Sequence, residues 1–258
     1  MTSLISPLGS QALAALDILE RGDGPSLLAL HGGAGPGSIA AFVESASASA
    51  AVLAPTHPGF AGTPRPEGFE QVGQLADLYA ALLERRGLRD VLVVGFSMGG
   101  WIAAELALRA GDRLRGLVLV DAVGLQVPGE PVADVFALAP REIAALSYAD
   151  PAPFFADPAT LSDERRAQMA ANFRALAVYG GREMGDTSLA ARLGGIATPT
   201  LVAWGEQDRI ASPAYGRAFA AAIPGARFET IAGCGHLPQI ERPDALRRLL
   251  ADFDAGLR

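Results

Sequence analysis

Six short, mostly apolar runs constrain the fold more than anything else in the chain: Leu27–Leu30, Ala51–Ala54, Val91–Val94, Leu117–Val120, Thr200–Ala203 and Phe228–Ile231. They do not alternate apolar with polar, so they predict strands covered on both faces, as in a parallel sheet between helices. Helical spacing fills the gaps. From Val72 the apolar positions Leu75, Ala76, Tyr79, Leu82 and Leu83 fall on one stripe, with Gly87 as a C-cap. Met98, Ile102, Leu106 and Leu108 make a second stripe that ends near Gly111. Leu246, Leu249, Leu250 and Phe253 make a third, opened by Pro243 in the position proline favours. Strands alternating with helices predict an α/β domain whose parallel connections are right-handed.

The alternation stops between Val123 and Leu193. That stretch holds Pro128, Pro131, Phe136, Pro140, Tyr148, Pro151, Pro153, Phe154 and Phe155, then a helical pattern over Glu164–Tyr179, with no strand pattern. The expectation is a core domain of residues 1–122 and 193–258 with a helical cap inserted at 123–192. The Ser/Ala alternation at Ser45–Ala51 is short enough to be a helix end, and no internal repeat or low-complexity linker is visible.

One motif sits where a strand should become a helix. "GFSMGG" at Gly95–Gly100 follows directly on Val91–Val94. Glycines two residues either side of Ser97 are required if that serine occupies a sharp strand-to-helix turn, because side chains there would collide. Such a turn lifts Oγ above the sheet edge. It also aims the Met98 N–H, in the first turn of the next helix, at the same space. Alone the pattern is weak, since glycine-rich turns also serve phosphate binding or close packing.

A serine hydroxyl needs a base to take its proton, and the base needs an orienting acid. The chain has three histidines. His236, in "GCGHLP", falls between the last strand and the last helix, on a glycine-flanked loop expected to be mobile or unusual; its other reading is a surface-loop residue. His31 opens "HGGAGPG" and is expected to pin that loop, leaving the Gly33 N–H, or alternatively that of Ala34, as a second oxyanion donor. His57, in "PTHPGF", is expected to serve only its own loop, with the substrate entrance as the alternative. For the acid, "WGEQD" places Asp208 just past a strand's C-terminal edge, where ligand-facing residues of open α/β sheets collect. An Asx turn is its structural alternative. Glu206 competes, and so does Asp121, which also ends a strand. The chain order Ser97, Asp208, His236 is the one expected for a serine–acid–histidine triad on a particular α/β sheet.

Taken together, "HGGAGPG", "PGFAGT" at Pro58–Thr63, "GFSMGG", "WGEQD" and "GCGHLPQIERP" at Gly233–Pro243 resemble the α/β-hydrolase family over nearly the whole chain. The resemblance implies nucleophile Ser97, acid Asp208, base His236, oxyanion donors Gly33 and Met98, and a helical cap over the site. A serine at 97 argues against haloalkane dehalogenases and epoxide hydrolases, which carry aspartate there. "HGGAG" is close to the "HGGPG" of prolyl iminopeptidases, whose elbow differs from "GFSMGG". Leu237 stands where carbon–carbon hydrolases of aromatic-ring degradation commonly have an aromatic residue.

The expected activity is therefore hydrolysis of a small-molecule carboxylic ester, lactone or thioester through an acyl-enzyme. A carbon–carbon bond hydrolase of vinylogous diketones is the alternative. It would need an arginine for the substrate carboxylate, with Arg174, Arg182 and Arg192 as candidates. A perhydrolase, and a non-enzymatic ligand receptor on the same fold, complete the set. Trp101, Phe136, Phe154, Phe155 and Tyr179, with Ala34 and Leu237, are candidate pocket lining; for each aromatic, ordinary core packing is the alternative.

The formal net charge is −7, and all 21 basic residues are arginines scattered singly or in pairs. That argues against nucleic acid or an anionic membrane surface as a partner. Cys234 is the one cysteine, so no internal disulfide can form. With no signal-peptide pattern and no apolar run of about 18 residues, a cytoplasmic protein is expected. No metal or other cofactor is expected, and the sequence does not decide between monomer and homodimer.

Overall fold

A computed structural model describes residues 7–257 of the chain. All six apolar runs form strands, and a seventh precedes them. The strands are β1 (Ile18–Arg21), β2 (Ser26–Leu30), β3 (Ala51–Pro55), β4 (Val91–Phe96), β5 (Leu114–Val120), β6 (Thr200–Gly205) and β7 (Arg227–Ile231). They lie in one sheet in the order β1-β3-β2-β4-β5-β6-β7. Every pairing is parallel except that of β1 with β3. β1 escapes the sequence pattern because, as an edge strand, it buries little: Leu19, Glu20 and Arg21 are all exposed.

The helices are α1 (Pro7–Ala14), α2 (Ala40–Ala46), α3 (Val72–Arg85), α4 (Met98–Ala110), α5 (Pro140–Ser147), α6 (Asp163–Gly180), α7 (Leu189–Leu193), α8 (Pro213–Ala221), α9 (Pro238–Glu241) and α10 (Pro243–Ala255). Successive strand residues point to opposite faces of the sheet, and this splits the core in two. Leu28, Leu30, Val91 and Val93 pack with α3, α4 and α8, whereas Leu27, Ala29, Leu92 and Val94 pack with α2 and α10. No helix among the described residues is long and apolar enough to cross a membrane.

Between β5 and β6 the chain forms α5, α6 and α7 and no strand. Ser162 caps α6 by accepting from the Arg165 N–H, and Gly181, at φ 61°, ends it. The buried stripe Asn172, Ala175, Leu176 and Tyr179 turns α6 toward the sheet domain. There the Tyr179 hydroxyl donates to the Pro58 carbonyl at 3.0 Å, and its ring stacks on Phe60. At the start of this segment the Val123 N–H donates to the Ser97 carbonyl, Gly124 bridges Gly185, and the Tyr215 hydroxyl bonds both the N–H and the carbonyl of Leu125. Near its end, Arg192 forms a two-pronged ion pair with Glu105, at 2.6 and 2.8 Å. Glu105 is buried in α4 and also binds Arg109.

Candidate active site

Ser97 stands between β4 and α4 at φ 53°, ψ −117°. A non-glycine residue there costs about 1–3 kcal/mol and persists only when its surroundings over-determine it. Here the Ser97 N–H donates to the Val120 carbonyl, and its own carbonyl accepts from the N–H groups of Gly100, Trp101 and Val123. The glycines of the motif make that turn possible. A Cβ on Gly95 would overlap the Gly99 carbonyl oxygen, one on Gly99 would overlap that of Leu30, and one on Gly100 would meet the Cβ of Ala122 at 2.5 Å.

The turn aims Oγ at His236. Its Nε2 lies 2.9 Å from Ser97 Oγ, and its Nδ1–H donates to Asp208 Oδ2 at 2.8 Å. The other Asp208 oxygen accepts the N–H groups of Ile210 and Ala211, at 2.8 and 3.1 Å. Asp208 and His236 are buried while Ser97 is half-exposed, so the chain of bonds runs from a dry acid to a reachable hydroxyl. Of the rival acids, Glu206 is exposed and accepts from the Gly233 N–H, away from His236. Asp121 is fully buried and accepts from the Gly205 N–H at 2.8 Å without touching the imidazole.

Of the two expectations for the histidine loop, mobile or unusual, the structure shows the second. The His236 N–H donates to the Ser147 carbonyl at 2.7 Å, and the Gly235 N–H donates to Glu241 Oε2 at 2.7 Å. A Cβ on Gly235 would overlap the Ser147 carbonyl. These glycines therefore serve close approach.

On the other side of Ser97 lies the loop after β2. A Cβ on Gly32 would meet the Ser97 Cβ at 2.9 Å, and Gly33 lies under Leu176 of α6. Among the described residues, neither the Gly33 nor the Met98 N–H donates to an acceptor in the chain. Ala34 is exposed, and its carbonyl accepts from Asn172 Nδ2 at 2.9 Å. Asn172 Oδ1 in turn accepts the Ala61 N–H at 2.7 Å, so one α6 side chain clamps two loops.

His31 pins the loop as expected, and His57 is its partner, which corrects the expectation that His57 serves only its own loop. Both are fully buried with ring centroids 3.8 Å apart. The His31 Nδ1–H donates to the Gly32 carbonyl at 2.8 Å. Its Nε2 accepts the His57 N–H at 3.1 Å. The His57 Nε2–H returns a bond to the His31 carbonyl at 2.9 Å, and its Nδ1 accepts from the Tyr79 hydroxyl at 2.5 Å. Each ring thus donates once and accepts once, which only neutral imidazoles can do. Burial pushes His31 down to about 4, against a smaller upward pull from the Gly32 carbonyl. Burial and the neighbouring His31 push His57 well below the usual value. Tyr79 and Asn172 carried no sequence signal, because each sits on a helix stripe indistinguishable from packing.

The pocket candidates scatter. Trp101 and Tyr179 are packed into the core. Trp101 covers Gly124, and the Tyr179 hydroxyl is spent on Pro58. Trp101 and Tyr179 also border a polar cavity of about 520 Å³ with Glu105, Arg109 and Arg192, and Ser97 is not among its walls. Phe136 packs edge-on against Phe173, Phe154 stacks on Tyr148, and Phe155 lies under the Arg141 guanidinium. Leu237 is half-buried just before α9. Of the arginines, Arg192 is held by Glu105 and Asp186, Arg182 pairs with Asp134 at 2.8 Å, and Arg174 is on the exposed face of α6. Asp121, Asp208 and His236 offer ligand atoms within 4.8 Å of one another, as a metal would need. Both imidazole nitrogens are already used, by Asp208 and Ser97.

The chain belongs to the alpha/beta hydrolase family, whose sequence profile matches residues 27–249. It has the fold of that family, a mostly parallel seven-stranded sheet flanked by helices. It is 30% identical over 266 residues to the 2-hydroxy-6-oxo-6-phenylhexa-2,4-dienoate hydrolase of Comamonas testosteroni, covering 91% of this chain and 89% of that one. It is 28% identical over 274 residues to the 2-hydroxymuconate semialdehyde hydrolase of Pseudomonas putida, covering 95% and 94%. Among solved structures, a thermophilic esterase from Thermogutta terrifontis superposes with a TM-score of 0.76 at 24% identity, covering 94% and 93%, a likeness of fold alone.

Proposed function

We propose that the chain is a serine hydrolase that opens a carboxylic ester, lactone or thioester of a small molecule. The observation that carries this reading is the continuous path Ser97 Oγ, His236, Asp208, with contacts of 2.9 and 2.8 Å. His236 Nε2 takes the Ser97 proton as Oγ adds to the carbonyl carbon. The N–H groups of Met98 and Gly33 hold the oxyanion; losing one such donor costs about 10²–10³ in rate. Asp208 keeps the Nδ1–H tautomer and offsets the charge of the imidazolium. The proton passes from Nε2 to the departing oxygen or sulfur. A water, deprotonated by the same nitrogen, then releases the acid and returns Ser97. Residues 123–192 act as a cap in this reading, with Leu176 over Gly33 at the acyl side.

Cleavage of a carbon–carbon bond beside a ketone is the second reading, and the names of the two relatives favour it. A dienoate substrate brings a carboxylate that needs a cation. The three arginines that could serve are committed to Glu105, Asp186 and Asp134 or turned outward, which weighs toward the ester. The experiment is a series of p-nitrophenyl esters run beside a 2-hydroxy-6-oxo-dienoate on the same preparation. Faster turnover of the esters is expected. Preference for the dienoate would reverse the order of the two readings. Ser97→Ala is expected to lose roughly 10⁴–10⁶ in kcat, and activity surviving in it would refute the nucleophile.

A further inference from the structure

Asp121 holds a buried oxygen for which the hydrolytic steps above have no use. The residue ends β5 and is 0% exposed. Its Oδ1 accepts the Gly205 N–H, while Oδ2, equally buried, has no partner as an acceptor. Such an orphan in a packed site calls for an explanation. Asp121 lies within 4.8 Å of ligand atoms of Asp208 and His236. Two carboxylates that close, away from water, cannot both stay ionised.

The donors decide which one is charged. Asp208 accepts three N–H groups, from Ile210, Ala211 and His236; Asp121 accepts one, from Gly205. We infer that Asp121 is a positioning residue, a neutral carboxylic acid whose Oδ2–H donates to the Asp208 carboxylate and holds it against His236. The inference rests on the triad reading given above. The other groups facing Asp121 agree in sign. Glu241 on α9 adds negative charge, and Cys234 on the histidine loop is an uncharged thiol pushed up to about 12 by burial and these acids against a smaller opposing pull from Arg242. Burial first, then the Asp208 charge, pushes Asp121 well above the usual carboxylate range. A neutral donor steadies Asp208 without cancelling the negative charge that the imidazolium requires.

The test compares Asp121→Asn, which keeps a donor and an acceptor and tolerates the φ of 46° found here, with Asp121→Leu, which keeps neither. Infrared difference spectra of the resting proteins, wild type minus Asp121→Asn at neutral pH, are expected to show the carbonyl band of a protonated carboxylic acid. In Asp121→Asn, kcat is expected within about threefold of wild type, with the acid limb of the kcat/KM–pH profile unmoved. In Asp121→Leu, kcat is expected to fall about five- to tenfold at unchanged KM, the value of one buried hydrogen bond. A missing acid band, an acid limb moved downward in Asp121→Asn, or a wild-type kcat in Asp121→Leu would each overturn the inference. Should Asp121→Leu not fold, the spectrum and the Asp121→Asn profile still decide. The infrared band needs no turnover, so it stands or falls separately from the loss expected in Ser97→Ala.

Discussion

Acid should unfold this protein through its loop histidines, and the size of the effect follows from their burial. His31 titrates in the folded state at about 4, against 6.5 for an ordinary histidine. Between those values the unfolded chain binds a proton that the native fold refuses. Stability is therefore complete above about pH 6.5, falls as the pH drops, and levels off below about 4. At about 1.4 kcal/mol per pH unit, the interval amounts to about 3 kcal/mol in full and about 2 kcal/mol by pH 5. His57, also held well below the usual value by burial and by His31, acts with the same sign. The assay is urea unfolding of wild type and His31→Gln at pH 7 and pH 5. Carboxylates titrate alike in both proteins and cancel. Whatever the variant loses at pH 7, its disadvantage is expected to shrink by about 2 kcal/mol at pH 5. A disadvantage that does not change with pH would mean that His31 titrates as a solvated imidazole, and the neutral two-histidine arrangement would be wrong.

Gly99→Ala places a methyl on the Leu30 and His31 carbonyl oxygens, and an overlap with backbone has no soft partner to yield. A loss of about 3 kcal/mol, the upper end for overpacking, is expected in urea unfolding, and an unchanged midpoint would contradict the described close approach. Asn172→Ala strips the donor from the Ala34 carbonyl and the acceptor from the Ala61 N–H. A net cost of about 0.5–1.5 kcal/mol for each of these part-buried hydrogen bonds should lower Tm, with a fall in kcat if the loop bearing Gly33 loosens. Asn172→Asp, which offers the Ala34 carbonyl no donor, is expected to be worse than the alanine variant in the same melt.

The parts of this fold readable in advance were those with a repeating physical cause. β2 to β6 are buried on both faces, so each needed a nearly unbroken apolar run; β7, at one edge of the sheet, buries only Ile231 and left a weaker trace, and β1, at the other edge with exposed side chains, left none. The elbow was legible because Gly95 and Gly99 are forced by backbone contacts, and the acid and base lie close after strand ends. Between Asp208 and Asp121 position alone did not choose, since both end strands; the resemblance carried by "WGEQD" pointed to Asp208, and the His236 ring turns to it. Nor could spacing anticipate that His57 would hold His31, because that pairing joins loops 26 residues apart. Trp101 and Tyr179 could not be sorted between lining and packing, because aromatic residues near a nucleophile and aromatic residues in a core share one pattern; in the fold they pack in the core and border a cavity that excludes Ser97.

The hold on Val123, Gly124 and Leu125 has a consequence for anyone who would exchange the segment between β5 and β6 for that of another hydrolase. Ser97 keeps its unusual backbone angles partly through the Val123 N–H, Gly124 lets the Trp101 ring lie against the main chain, and Tyr215 takes both polar groups of Leu125. Those three residues are inherited with the nucleophile, whatever follows them. The natural suture for a chimaera falls after Leu125 at one end. At the other it falls ahead of Gly185, the partner of Gly124, so that Arg192 travels with both of the carboxylates it binds, Glu105 and Asp186. A donor segment joined at residue 123 would carry foreign residues into the elbow itself.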